Sequence, residues 1–148
     1  MLANLDLTKV LFLDIETVPE EEAYANLSDS RQALWEQKTS YKRKDEITAE
    51  AFYERAGIWA EFGKIVCISV GFFDTTQANN RSLRIKSFSG EEASILEAFK
   101  QLCDEHFYLK SHLLCAHNGK EFDFPYIARR MVIHRIALPK ILDLIGKK

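Results

Sequence analysis

The sequence lacks any apolar segment long enough to cross a membrane. Its longest uncharged apolar runs, among them residues 10–13 and 65–73, are far shorter than the roughly 20 residues that span a bilayer. An export signal is lacking too, because Asp6 stands where a signal peptide would be basic and the apolar stretch before Asp14 is short. We therefore expect a cytoplasmic protein without a membrane partner.

Cysteine is scarce, and basic residues are not in excess. The three cysteines, Cys67, Cys103 and Cys115, are far apart and none has the spacing of a zinc ligand, so we expect buried, reduced thiols. The net charge of −2 is unlike that of most nucleic-acid-binding proteins, which carry a basic surplus. Because bound divalent cations can offset clustered carboxylates, this charge balance does not exclude a phosphate substrate.

What the chain does have is the size and composition of a globular domain. Its 148 residues are enough to form one core, and 47% of them are hydrophobic while 28% are charged. No internal repeat or low-complexity linker interrupts the sequence. We therefore predict a single domain over residues 1–148.

The order of the predicted strands and helices indicates an α/β fold. Segments 9–17, 64–73, 83–88 and about 112–117 have the apolar character of strands, and a turn is predicted over 74–81. A charged, helix-forming insert at about 20–62, with Thr48 as an N-cap, separates the first two strands. Ser89 and Glu92 form an S-x-x-E capping box before one helix, and another helix covers about 124–135. This order predicts a mixed sheet with flanking helices.

Two acidic residues lie two positions apart at the end of the first predicted strand. Because side chains alternate along a strand, Asp14 and Glu16 leave the same face, which begins with Val10 and Phe12 and is expected to be core. Two carboxylates so close together repel each other, and Mg²⁺ or Mn²⁺ would relieve that repulsion. The spacing alone fits equally well two solvated residues that merely end the strand.

A second group of polar residues follows the fourth predicted strand, in the sequence NGKEFDFPY at residues 118–126. Asp123 precedes Phe124 and Pro125, which is the position of an N-cap before a helix that tolerates proline in its first turn. The local pattern therefore predicts a capping aspartate. A carboxylate at a helix start can also direct one oxygen at a metal ion, so the two roles are compatible.

Taken together, DIET at residues 14–17 and HNGKEFDFPY at residues 117–126 resemble the first two motifs of the DEDD superfamily of 3′–5′ exonucleases. The second motif is similar to the N-x-x-x-F-D-x-P pattern of proofreading exonucleases, including those of family B DNA polymerases. AEFGKIVCISVG at residues 60–71 resembles stand-alone predicted exonucleases of bacteria that are related to that domain. The resemblance covers nearly the whole chain and implies a ribonuclease-H-like α/β fold.

The resemblance also implies roles for individual residues. Asp14 would bridge two metal ions, Mg²⁺ or Mn²⁺, while Glu16 would bind one of them and Asp123 the other. One ion would lower the pKa of a bound water and the other would stabilise the departing 3′ oxygen. The residues implied to contact or shape the pocket for the terminal nucleotide are Thr17, Asn118 and Phe122. For the first and last of these, a strand-end hydroxyl and a core aromatic are equally consistent with the sequence.

The family's third motif, Y-x-x-x-D or H-x-x-x-D, does not occur after Asp123. The only later aspartate is Asp143, which we interpret as structural. We therefore expect the family's last strand and last helix to be missing, either because the chain is the N-terminal part of a longer reading frame or because it is a shortened relative. The fourth strand would then be a sheet edge, which predicts self-association through that edge or marginal stability.

Three functions are consistent with these patterns. The first is a metal-dependent 3′–5′ exonuclease acting on nucleic acid, with single-stranded DNA as the expected substrate. The second is a nucleic-acid-binding or interaction module of the same fold with weak or no catalysis, which the absent third motif favours. The third, a haloacid-dehalogenase-type phosphatase, ranks last because those enzymes use D-x-D where this chain has Asp14-Ile15-Glu16. No side chain distinguishes RNA from DNA as the substrate.

Overall fold

The computed structural model describes residues 5–43, 47–77 and 80–143, and for residues 75–77, 80 and 81 it describes the backbone alone. Short 3₁₀ helices occur at Leu7–Lys9, Tyr24–Asn26 and Tyr53–Ile58. No helix within the described ranges is both long and apolar enough to cross a membrane. The strands and α-helices of these ranges are β1 (Val10–Pro19), α1 (Asp29–Thr39), α2 (Ala49–Phe52), β2 (Gly63–Gln77), β3 (Asn80–Ser89), α3 (Glu92–His106), β4 (Leu113–Cys115) and α4 (Asp123–Ile133).

The strands form one mixed sheet in the order β3-β2-β1-β4. β1 and β4 are parallel, with Val10 opposite Leu113 and Phe12 opposite Cys115, whereas β2 and β3 are antiparallel. The parallel pair is joined by a connection that contains α3, as parallel neighbours require. The predicted mixed α/β sheet with flanking helices is therefore confirmed. In the described part of the chain, β4 lies at the edge of the sheet, as expected.

The connection between β2 and β3 is tighter than the sequence predicted. The expected turn over 74–81 is mostly strand, because β2 continues to Gln77 and β3 begins at Asn80, directly opposite it. The register shifts between Asp74 and Gln77, so an irregularity replaces the longer loop. Backbone hydrogen bonds between the strands thus extend into residues whose local preference is for a turn. Asn79, part of the predicted turn signal, lies outside the described residues.

The chain forms two compact units. The first comprises Met1–Glu16 and Ile65–Lys148, and the second comprises Thr17–Lys64, close to the insert expected at about 20–62. The single domain over residues 1–148 therefore stays a prediction.

The second unit has its own aromatic core around Trp35, whose side chain is fully buried. The Trp35 ring meets Phe62 edge to face, with ring centroids 5.0 Å apart, and its indole N–H donates to the carbonyl of Ala49 over 2.8 Å. The predicted N-cap is confirmed, because the hydroxyl of Thr48 accepts a hydrogen bond from the N–H of Ala51 over 3.1 Å. The charged insert thus folds around buried aromatic side chains.

The capping box predicted for α3 is wrong. The N-cap is Glu91, whose carboxylate accepts a hydrogen bond from the N–H of Ser94 over 3.0 Å, and Ser89 is still part of β3. Glu92 instead is only 7% exposed. The N-cap therefore lies two residues after the predicted Ser89, and Glu92 makes tertiary hydrogen bonds instead of a capping bond.

Glu92 is the centre of a buried ionic cluster that joins three elements of the first unit. Its carboxylate accepts hydrogen bonds from the N–H of Ile65 at 2.7 Å and from Nε of Arg130 at 2.8 Å. It is also hydrogen-bonded to Nε2 of His134 at 2.7 Å. Because Arg130 is only 2% exposed, the two opposite charges neutralise each other away from water. The cluster ties the start of α3 to β2 and to the end of α4.

The stability of the protein should fall in acid because of Glu92. Burial by itself raises the pKa of this carboxyl group, but hydrogen bonds from Arg130, Ile65 and His134 hold the pKa below the usual 4.5. A folded-state pKa below the unfolded one contributes stability that is present above about pH 4.5 and is lost as the pH falls through the lowered value. Urea unfolding between about pH 7 and about pH 3 measures this loss.

A Glu92→Gln variant is the control for that pH series, because it removes the titrating group at the same position. Its free energy of unfolding should be lower at neutral pH but should change less with acidification than that of the parent protein. An equal acid dependence in the two proteins would contradict the assignment.

The cysteines are free thiols, as predicted, but only one of them is buried. Cys103 is fully buried in α3, whereas Cys67 is half-buried and Cys115 is exposed. Burial raises the pKa of Cys103 to about 12, so this thiol stays protonated at neutral pH. Cys103 is thus a small core residue rather than a nucleophile.

Candidate active site

β1 presents its two carboxylates on the more open face of the sheet. Leu11, Leu13 and Ile15 are buried on one face, whereas Asp14 and Glu16 are exposed on the other. The prediction that the two acidic side chains share a face is therefore confirmed by the alternation of the strand.

The expectation that Val10 and Phe12 form core on the carboxylate face is right for the first and wrong for the second. Val10 is buried, but Phe12 is half-buried and meets Phe73 edge to face, with ring centroids 6.0 Å apart. Strand alternation shows which side chains share a face of the sheet but not how far the helices cover that face. The sequence could therefore not show that Val10 is buried while Phe12 is only half-buried.

A hydrogen-bonded loop leads from β4 into α4. Asn118 has a φ of 56°, in the left-handed region that asparagine tolerates better than most residues. Its carbonyl accepts a hydrogen bond from the N–H of Phe122 over 3.1 Å, and the carbonyl of Gly119 accepts one from the N–H of Phe124 over 2.9 Å. These bonds fix the point at which the chain enters α4.

Gly119 is required by a close approach within this loop. A Cβ atom at this position would lie 2.6 Å from the ring of Phe124 and 2.7 Å from the Cβ of Ala116. We expect Gly119→Ala to lower the free energy of unfolding by about 1–3 kcal/mol, the usual cost of overpacking. Urea unfolding measures it, with Gly71→Ala as the control, because the nearest contact there is an ordinary 3.6 Å to Leu83. Equal losses in the two variants would contradict the steric explanation.

Asp123 is the first residue of α4, not its N-cap. The N-cap position is occupied by Phe122, which makes no side-chain capping bond, so the predicted capping role of Asp123 is wrong. The side chain is 2% exposed, and its carboxylate accepts hydrogen bonds from its own N–H and from the N–H of Ile15. The start of α4 therefore lies directly against β1.

The carboxylates of Asp14 and Asp123 act on each other electrostatically. Burial raises the pKa of Asp123, and the negative charge of Asp14 raises that pKa further. The N–H groups that bind the carboxylate and the nearby imidazole of His117 offset part of this increase. Two acidic residues from distant parts of the sequence therefore act on each other, and their role as metal ligands stays a prediction.

The other predicted site residues are placed as follows. Glu16 is exposed on the same strand face as Asp14, and Asn118 is exposed in the loop before α4. Phe122 is half-buried, with its ring centroid 5.4 Å from that of Tyr126. Thr17 is half-buried and belongs to the second unit. Their roles in binding a metal ion or a substrate stay predictions.

The donor set fits one divalent cation in part. Asp14 and Asp123 supply the carboxylate oxygens that Mg²⁺ and Mn²⁺ prefer, and a cation would relieve their mutual repulsion. Within residues 5–43, 47–77 and 80–143, however, no three His, Cys, Asp or Glu side chains are arranged to hold a metal ion together. Whether the carboxylates hold one or two ions stays a prediction.

An apolar groove of about 420 Å³ lies beside Asp14 on the open face of the sheet. Phe12 and Phe73 line it from β1 and β2, and Leu83 and Ile85, which are 51% and 70% exposed, line it from β3. The carboxylate of Asp14, in the middle of β1, thus borders a surface on which a flat, apolar group can rest.

Sequence reasoning missed two contributors to this site. His117 has no assigned role in the motif that begins with it, and the N–H of Ile15 carries no sequence signal, because every residue other than proline has one. The parallel pairing of β1 with β4 places both beside Asp123, and only a prediction of that pairing could have found them.

A protein-family model described as the RNase_H superfamily matches residues 53–147 of the chain. The match includes the loop before α4 and Asp123, whereas β1, with Asp14 and Glu16, precedes it. No curated protein matches the chain significantly.

Proposed function

The chain belongs to the ribonuclease H superfamily, and on that premise we propose that it is a metal-dependent 3′–5′ exonuclease. The superfamily consists mostly of nucleases, and its fold agrees with the mixed sheet of this chain. The observation that carries the proposal is the electrostatic coupling of Asp14 and Asp123, which come from the two exonuclease-like motifs. The proposed substrate is the 3′ end of single-stranded DNA.

The carboxylates would position the metal ion. Asp123 is shielded from water, and the N–H of Ile15 is near enough to its carboxylate to lower the pKa. Asp14 is exposed beside it, and Glu16 follows on the same strand face. There Glu16 can contact the metal ion or a water molecule bound to that ion. Mg²⁺ or Mn²⁺ bound between them would supply a Lewis acid and a water of lowered pKa. Asn118 and Phe122 would border the terminal nucleotide.

The test is an assay of 5′-labelled single-stranded DNA with Mg²⁺, with Mn²⁺ and with EDTA. A ladder that shortens from the 3′ end only when a divalent ion is present is the expected result. RNA of the same sequence, assayed in parallel, decides the sugar preference. Internal cleavage would show that the protein is an endonuclease rather than an exonuclease. Cleavage in EDTA would contradict the proposed dependence on a metal ion.

A nucleic-acid-binding module without catalysis is the second candidate. The observation that favours it is that no three metal-binding side chains come together within the described ranges. This candidate predicts that the labelled strand is bound but not shortened, even at high protein concentration with Mn²⁺. The same gel and a binding titration therefore separate the two functions.

Self-association is a further prediction for this fold. In the described part of the chain β4 has a strand on one side only, and Leu113 on it is 46% exposed. An open sheet edge with apolar side chains favours pairing with a second copy. Sedimentation velocity at increasing protein concentration should show a rising mean mass, which Leu113→Lys should reduce. A monodisperse monomer at every concentration would contradict the prediction.

A further inference from the structure

Asp123 and Arg130 lie on the same side of α4. Asp123 is the first residue of this helix, and Arg130 follows seven positions later. Seven residues make two turns to within about 20° and span about 10 Å along the helix axis. Both side chains are 2% exposed, so both point into the protein. Any rotation of α4 about its axis, or any shift along it, therefore moves Asp123 and Arg130 together.

Two residues of α4 and its C-terminal end meet the carboxylate of Glu92. The guanidinium of Arg130 donates from Nε to one oxygen of Glu92 over 2.8 Å and from Nη2 to the other. Nε2 of His134, one turn further along, is hydrogen-bonded to the same carboxylate over 2.7 Å. A one-residue step of a helix is a rotation of about 100° and a shift of about 1.5 Å, which would break these contacts. The cluster therefore admits a single register of α4.

Glu92 is itself bound to the sheet. Its Oε1 accepts a hydrogen bond from the N–H of Ile65 over 2.7 Å. Ile65 belongs to β2, which lies next to β1 in the sheet, and β1 carries Asp14. The carboxylate of Glu92 thus joins the helix that begins with Asp123 to the strand beside the one that carries Asp14. The position of Asp123 relative to Asp14 therefore depends on contacts made two helical turns away.

A contribution to stability does not explain why this cluster is ionic. Replacing a buried ion pair by apolar residues of similar volume is often neutral or stabilising. The rest of the buried faces of α3 and α4 includes Ile95, Ile127 and Met131, so an apolar pair would suit the same surroundings. An ion pair with two parallel hydrogen bonds differs from an apolar pair in having a fixed direction. The best-attested use of such buried polar contacts is to select one register among several.

We propose that Glu92, Arg130 and His134 position Asp123 for the divalent cation. The inference rests on the proposed function for that cation, and it adds the residues that set the distance between its two ligands. Arg130 lies about 10 Å along α4 from Asp123, too far to share an ion with it, so the three are positioning residues rather than ligands. The competing explanation is that the cluster stabilises the fold and leaves the pair of carboxylates unaffected.

The test separates positioning from stability with two cluster variants and one control. Glu92→Leu combined with Arg130→Met retains a buried contact but removes its direction. Arg130→Lys retains the positive charge but not the planar guanidinium that makes two parallel hydrogen bonds. The control is Phe99→Ala, which removes a fully buried ring from α3 and should cost as much stability as the loss of one buried ion-pair partner. Urea unfolding confirms that each protein is folded and ranks their stabilities.

The first measurement needs no metal ion. The N–H of Ile15 is hydrogen-bonded to the carboxylate of Asp123, so the amide resonance of Ile15 in a ¹H–¹⁵N spectrum reports where that carboxylate lies. We expect this resonance to move in both cluster variants and to stay close to its parent position in Phe99→Ala. An unchanged Ile15 resonance in both cluster variants would overturn the proposal, because Asp123 would then keep its place without the cluster.

The second measurement is the affinity for Mn²⁺, read from the electron paramagnetic resonance signal of the free ion. Both cluster variants should bind Mn²⁺ at least about tenfold more weakly than the parent, as is usual when residues that orient metal ligands are removed. Phe99→Ala should bind Mn²⁺ as the parent does, since it lowers stability without turning α4. Parent-like affinity in the cluster variants, or an equal loss in Phe99→Ala, would overturn the proposal in favour of a purely structural cluster.

The gel assay distinguishes a failure of this inference from a failure of the proposed exonuclease. The Mn²⁺ concentration that gives half of the maximal rate should rise in the cluster variants by the same factor as the Kd. A ladder that forms equally well at every Mn²⁺ concentration in the parent and the cluster variants would preserve the exonuclease and overturn the positioning role. Cluster-dependent Mn²⁺ binding without any ladder would preserve the positioning role and overturn the exonuclease. A parent protein that binds no Mn²⁺ would overturn both.

Discussion

An Asp14→Asn variant is expected to lose at least about 100-fold of the rate at which single-stranded DNA is shortened from its 3′ end. Even partners that only orient a metal ligand cost about 10–100-fold when they are removed, and a direct ligand should cost more. The asparagine keeps the shape of the side chain but removes the negative charge that acts on Asp123. The pseudo-first-order rate of ladder formation at saturating Mn²⁺ measures the loss.

The control for this prediction is Asp104→Asn, which removes a carboxylate from the exposed ion pair with Lys100 on α3. Its rate should stay within about twofold of the parent's, since exposed pairs contribute little to stability. Asp123→Asn should lose activity as Asp14→Asn does, because the two carboxylates form one site. Full activity in either site variant would remove the proposed nuclease mechanism, whereas a loss shared by Asp104→Asn would indicate contamination or misfolding.

Replacing Arg130 by methionine is expected to lower the free energy of unfolding by about 3–5 kcal/mol. This is the usual cost of removing one partner from a buried ion pair, because the remaining charge stays away from water without its counterion. Glu92 would keep its hydrogen bonds to the N–H of Ile65 and to His134 but lose the guanidinium. Urea unfolding at neutral pH measures the change, which is a large part of the stability of an ordinary domain.

Two comparisons make this prediction specific to the buried pair. Arg129→Met removes the same charge from the neighbouring, exposed arginine and should change stability by less than about 0.5 kcal/mol. The double variant Glu92→Leu with Arg130→Met should recover part of the loss, because a hydrophobic pair of similar volume often replaces a buried ion pair without penalty. Equal losses for Arg129→Met and Arg130→Met would contradict the role assigned to the cluster.

The sequence predicted the strands and the main helices because their signals are local. The apolar run of β1 and the periodic apolar residues of α3 each depend on neighbours within one element, and both elements occur where they were expected. The same holds for the shared face of Asp14 and Glu16, which follows from the geometry of any strand. Where a local signal competed with a tertiary contact, the prediction was wrong, as it was for the role of Glu92.

Asp123 shows the limit of local signals most clearly. Its position before Phe124 and Pro125 is typical of an N-cap, yet the helix already includes it and its carboxylate binds the N–H of Ile15 instead. The N–H of Ile15, which is distant from Asp123 in sequence, takes the place of a donor from the first turn of α4. The parallel pairing of β1 and β4 brings this N–H close to the carboxylate. A single sequence does not indicate whether the N–H of Ile15 or an N–H of the first turn of α4 lies closer to the carboxylate of Asp123.

By itself, the amino-acid sequence determined that this chain forms an α/β sheet, that Asp14 and Glu16 share a strand face, and that a second acidic motif follows a later strand. Only the tertiary structure decided that Asp14 and Asp123 act on each other and that the face of Phe12 stays open. The physical reason is that propensity and alternation act between neighbours in sequence, whereas electrostatic coupling, burial and groove formation depend on strand pairing between residues far apart in the chain.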